Sequence, residues 1–69
     1  MELTKRQKEV LAFVKSFLKK QGYPPTRREI ADSFCFESVT AADNHLRALE
    51  RKGIITIAAG ISRGIAIVK

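Results

Sequence analysis

Hydrophobic positions along this 69-residue chain repeat first at the period of a helix and then at the period of a strand. Val10, Leu11, Val14, Phe17 and Leu18 recur on one side of a 3.6-residue turn, with Phe13 widening the stripe, which predicts a core-facing amphipathic helix. Thr4 and Gln7 stand ahead of it at capping-box spacing. Gly22 ends it through a left-handed cap, and Pro24-Pro25 forbid continuation because they lack amide donors. A second capping box, Thr26 to Glu29, follows at once. Ile30, Ala31 and Phe34 then supply the apolar face of a short helix from Arg27 to Phe34. After the turn Cys35-Phe36-Glu37 a third helix is predicted over 39–52. Its N-cap is the Ser38 hydroxyl, its apolar face is Val39, Ala42, Leu46 and Leu49, and Gly53 lies just past its end.

Beyond Gly53 the period drops to two. Ile55 and Ile57 alternate with Thr56 and Ala58, Ile65 and Ile67 alternate with Ala66 and Val68, and the stretch between them holds Gly60 and Gly64. That is a β-hairpin. The whole pattern predicts a mainly α fold with a small β-hairpin, occupying residues 1–69 as a single domain. It is a winged helix-turn-helix: three helices followed by a two-stranded antiparallel wing. The shortness of the second helix belongs to this signature, because that helix crosses the DNA backbone while the next one reads the groove.

The polar face of the third helix carries Thr40, Ala41, Asp43, Asn44, Arg47 and Arg51. It is short and able to hydrogen-bond at the front and cationic further along, which suits a helix entering a DNA major groove N-terminus first. An ordinary amphipathic surface helix would carry a similar pattern. Thr40, Asn44, Arg47 and Arg51 follow at steps of four, three and four and share one stripe. An asparagine amide pairs in bidentate fashion with adenine N6 and N7, and a threonine methyl suits thymine. Asp43 either accepts from cytosine N4 or sits favourably at the positive end of the helix. Arg63, between small residues at the hairpin tip, is expected to reach a phosphate or a narrow minor groove.

Charge and composition narrow the partner. Thirteen basic against seven acidic residues leave a net charge of +6, which favours a polyanion. No apolar run approaches the roughly 18 residues of a membrane span, and the N-terminus is no secretory signal, so no membrane partner and an intracellular location are expected. One cysteine excludes an internal disulfide; one histidine leaves no zinc cluster, and neither metal nor cofactor is expected. Cys35 is expected as a small core residue and His45 as a packing histidine. No enzyme is expected: Ser62, His45 and Asp43 name a triad on paper, but positions 43 and 45 of one helix do not face each other.

Many short matches at collinear spacing make the chain similar to the N-terminal DNA-binding domain of LexA-type repressors over nearly its whole length. They are Leu3-Thr4, Arg6-Gln7, Glu9-Val10, Pro24-Pro25-Thr26-Arg27 and Glu29-Ile30-Ala31. They continue with Ala41-Ala42, His45-Leu46, Ala48-Leu49, Arg51-Lys52-Gly53, Gly60 and Ser62-Arg63-Gly64-Ile65. The resemblance implies a cytoplasmic transcriptional repressor of the SOS response whose partner is a double-stranded DNA operator of two-fold symmetry. The isolated domain would be monomeric, with two copies per operator. Ser38, Thr40, Ala41, Asp43 and Asn44 would face the bases, and Arg27, Arg47, Arg51, Lys52 and Arg63 would approach the backbone. The chain departs from the family pattern at Cys35, where glycine is usual, at Glu37, where a cation is common, and at Val39-Thr40 and Asn44. An operator different from the usual one is therefore expected. The second domain usual in the family, a self-cleaving serine-lysine peptidase that also dimerises, has no counterpart in these 69 residues. Two other functions fit the same basic surface: a non-specific binder of DNA or RNA, and a winged-helix protein-interaction adaptor. The polar face of the third helix weighs against the adaptor, which would favour exposed aromatics or methionine.

Overall fold

Each break in the sequence pattern becomes an element boundary in the computed structural model, which describes residues 3–61 and 63–68. Helix α1 spans Lys5–Gln21, α2 Arg27–Phe34 and α3 Val39–Arg51; strands β1 (Ile55–Ile57) and β2 (Ile65–Ile67) follow. Both capping boxes form. The Thr4 hydroxyl accepts from the Gln7 amide at 3.1 Å while Gln7 accepts from the Thr4 amide, and Thr26 and Glu29 repeat the exchange at 3.1 and 2.8 Å.

Ser38 departs from expectation. It has the extended backbone of an N-cap, but its side chain makes no capping bond. Its carbonyl instead accepts from the Ala41 amide at 3.3 Å, a tight first turn that leaves the exposed hydroxyl uncommitted. At the other end of α3, Gly53 takes φ 77°. The Gly53 amide bonds to the Glu50 carbonyl and the Ile54 amide to that of Leu49, closing a Schellman motif that turns the chain into β1. The same motif ends α2 without a glycine. Cys35 stands at φ 56°, with its amide on the Asp32 carbonyl and that of Phe36 on Ala31. Cys35 is exposed rather than a core residue, because a left-handed cap points its side chain away from the packed helix.

The core sits where the three helices meet the first residue of each strand. Val10, Val14, Ile30, Ala31, Ala42, Leu46, Leu49, Ile55 and Ile65 are buried there. Val39, the first residue of α3 and expected on its apolar face, remains exposed. Half-buried rings seal one side. Phe34 meets Phe13 edge-on at 5.7 Å and stacks on Phe36 at 5.3 Å, and Phe36 stacks on His45 at 5.4 Å, so His45 packs as expected. The strands pair antiparallel with Ile55 opposite Ile67 and Ile57 opposite Ile65. Gly64 is required at the base of the loop, because a Cβ there would lie 2.9 Å from both the Cβ and the carbonyl oxygen of Ala58.

Candidate nucleic-acid interface

Three apolar residues orient α3. Ala42, Leu46 and Leu49 are completely buried, so the opposite face of the helix is turned to solvent. Thr40, Asn44, Arg47 and Arg51 are all exposed on it, in one stripe along thirteen residues of helix. Thr40, Asn44 and Arg51 make no side-chain hydrogen bond or ion pair among the described residues. Ala41 is half-buried beside them. A helix of this length is about 20 Å long and fits the major groove of B-DNA, which is about 12 Å wide.

Asp43 lies on this face yet is not free. Its two carboxylate oxygens are taken by different arginines: Arg27 Nε, from the first residue of α2, and Arg47 Nε, one turn further along α3 at 2.9 Å. Burial alone would raise its pKa, but hydrogen bonds and charge from Arg27 and Arg47 together outweigh burial and hold the carboxyl below its ordinary value. The bond to Asp43 correspondingly strengthens the protonation of Arg47. A depression of about 450 Å³ opens beside the pair, lined by Arg27, Val39, Thr40, Asp43 and Arg47. A second, of about 380 Å³, separates Arg27, Arg47 and Glu50 from the wing at Ile57 to Ile61.

The wing is held from two sides. Glu50 of α3 accepts from the Ile57 amide at 3.2 Å. Arg63, expected as a lone cation at the tip, is instead folded back onto α2. Its terminal nitrogens pair with both Glu29 oxygens at 2.8 and 3.0 Å, one of them also donates to the Pro24 carbonyl at 2.9 Å, and the guanidinium lies over the Tyr23 ring at 4.6 Å. The preference for Glu29 has a plain cause: a carboxylate already ordered by the Thr26 capping box presents a fixed fork to the guanidinium. The Arg63 hydrogen bond, followed by that of the Thr26 amide, keeps the Glu29 carboxyl below its ordinary pKa. Lys52 is likewise engaged, donating to Gln7 on α1 at 2.9 Å. Of the imagined triad, Asp43 is ion-paired and His45 stacked, and Ser62 lies outside the described residues.

Only part of this was readable beforehand. The i,i+4 spacing of Asp43 and Arg47 announces their pair, but Arg27 is sixteen residues from Asp43 and Arg63 thirty-four from Glu29. Glu29, Glu50 and Tyr23 bear on the wing and its neighbours by tertiary contact, and the capping box that marks Glu29 says nothing of Arg63.

A family model for the LexA DNA-binding domain matches residues 1–64. The chain belongs to the LexA DNA-binding domain family. It is 55% identical over 67 residues to the LexA repressor of Pseudomonas chlororaphis, covering 97% of this chain and 33% of the relative. It is 51% identical over 69 residues to the LexA repressor of Dechloromonas aromatica, covering 100% of this chain and 34% of that protein. LexA repressor 1 of Pseudomonas putida is 54% identical over 67 residues. The chain thus spans about a third of the length of these relatives. The matched family is a DNA-binding domain and not a catalytic one. Among the described residues no helix is long and apolar enough to cross a membrane, and no cluster of histidine, cysteine and carboxylate side chains could hold a metal ion.

Proposed function

We propose that this chain is the operator-binding part of a LexA-like transcriptional repressor, acting in the cytoplasm, where it meets chromosomal DNA. The carrying observation is the contrast across α3. Ala42, Leu46 and Leu49 are sealed into the core, while Thr40 and Asn44 on the other side keep their hydrogen-bonding groups free. Uncommitted hydroxyl and amide groups one turn apart on an exposed helix face are available to base edges. Ser38, Thr40, Ala41 and Asn44 approach base edges in this reading, with Asn44 selecting adenine. Arg27, Arg47, Arg51 and Lys52 meet the backbone and carry affinity without sequence choice. Arg63 contributes by holding the wing.

Two copies on a symmetric operator fit the size of the domain. Its backbone measures 27 × 25 × 23 Å, and half-sites one turn apart are about 34 Å from centre to centre. Two domains therefore sit on one face of the duplex without overlap. Selection from a random duplex pool tests the reading: a half-site consensus is expected, with an adenine that loses its preference in Asn44→Ala. Enrichment of no sequence, with affinity set by salt alone, would leave a non-specific binder instead.

A further inference from the structure

The shared carboxylate between Arg27 and Arg47 has a role that base reading does not explain. Both Asp43 oxygens receive a charge-assisted bond, and its side chain is only 24% exposed. Each arginine gives Asp43 its Nε, and among the described residues the terminal nitrogens of both guanidinium groups make no hydrogen bond. A guanidinium has five N–H donors, so each keeps four for another acceptor. The two groups come from different helices, α2 and α3, and line the same depression beside Thr40. Two forked cations around one recess, with their stems fixed by a common anion, match a phosphodiester oxygen pair.

We infer that Asp43 is a positioning residue: it holds Arg27 and Arg47 so that both close on one backbone phosphate, and that phosphate sets how far α3 advances into the groove. This rests on the DNA-reading function proposed above. Free arginine side chains lose rotamer freedom when they dock, and a prior hold by Asp43 removes that loss before DNA arrives. Asp43 also repels DNA as a bare charge, so the two effects oppose each other. Simple electrostatics predicts that its removal tightens binding to every duplex; positioning predicts that it weakens binding.

The test is a double-mutant cycle on the 69-residue chain, read as dissociation constants on the selected duplex over a series of salt concentrations. Asp43→Asn is expected to weaken binding about tenfold, the size of one lost charge-assisted contact, with the preferred base unchanged at every position. In an Arg27→Ala, Arg47→Ala background the same change is expected to weaken nothing, because Asp43 acts through those side chains. Asp43→Glu, which keeps the carboxylate, should recover most of the loss. It also serves in the same cycle should Asp43→Asn not fold by circular dichroism. A changed base preference in Asp43→Asn would make Asp43 a base reader and overturn the inference. So would tighter binding to all duplexes, or an equal loss in both backgrounds. A wild-type chain that selects no sequence defeats the reading function, and the cycle on any bound duplex still judges the phosphate role. A wild-type chain that binds no duplex defeats both.

Discussion

At Cys35 the backbone enters the left-handed region with a side chain attached, the one non-glycine residue at positive φ among those described. The Schellman bonds of Phe36 and Cys35 hold it there, so the turn keeps its geometry and carries strain. Cys35→Gly should stabilise the fold by about 0.5–1 kcal/mol: relief of roughly 1–2 kcal/mol of left-handed penalty, less glycine's unfolded-state entropy of about 0.5–1 kcal/mol. Urea midpoints of the two proteins check this, and an unchanged or lower midpoint would contradict it. Asn44 belongs to the same scale. Asn44→Ala should cost about 1–3 kcal/mol on the selected duplex, and much less once the paired adenine is replaced. Equal losses on the two duplexes would mean that its amide reads nothing there.

Between elements, two carboxylates form ion pairs that tie neighbours together. Asp43 ties α3 to α2, and Glu29 ties α2 to the wing through Arg63. Both have pKa values below the ordinary carboxylate range. Unfolded carboxyls bind protons before the folded ones do, so their contribution to stability is complete above about pH 4–5, falls as pH drops through the lowered folded values, and is absent below them. Urea midpoints measured from about pH 6 down to pH 2 should fall. They should fall less steeply in Asp43→Asn and Glu29→Gln, and identical slopes in all three proteins would refute the linkage. The Arg63–Glu29 pair is more than a third exposed, so solvent screens it. Arg63→Ala should therefore cost little global stability. Its visible effect should be local, with faster amide exchange in β1 and β2 than in α3. Uniform acceleration across all elements would show that Arg63 does not act on the wing in particular.

For the whole molecule the question is association. Among the described residues the exposed large apolar side chains are Tyr23, Val39, Ile61 and Val68, in the α1–α2 loop, at the start of α3, in the β1–β2 loop and just after β2. A stable interface takes about 800 Å² from each partner, a large share of the 4537 Å² this domain exposes. Four side chains on four separate elements offer no centre for it. The 69-residue chain should sediment as a monomer at micromolar concentration, and it should fill the two half-sites of an operator independently wherever two domains fit side by side. A stable free dimer in sedimentation equilibrium would overturn this.

What the sequence determined by itself is whatever depends on neighbours along the chain. The capping pairs Thr4–Gln7 and Thr26–Glu29, the glycine past α3, the helical stripes and the alternating isoleucines all act within a few residues, and the element order follows from them. The helix-turn-helix and the exposed polar stripe of α3 were legible for the same reason, since a stripe on a helix is set by periodicity once its apolar face is known. Tertiary structure decided the charges. Arg27, Asp43 and Arg47 meet only because α2 crosses α3, and Arg63 finds Glu29 only because the hairpin folds back toward the N-terminus of α2. A long cationic side chain takes whichever anion the fold brings within reach, and that distance is not written in local spacing.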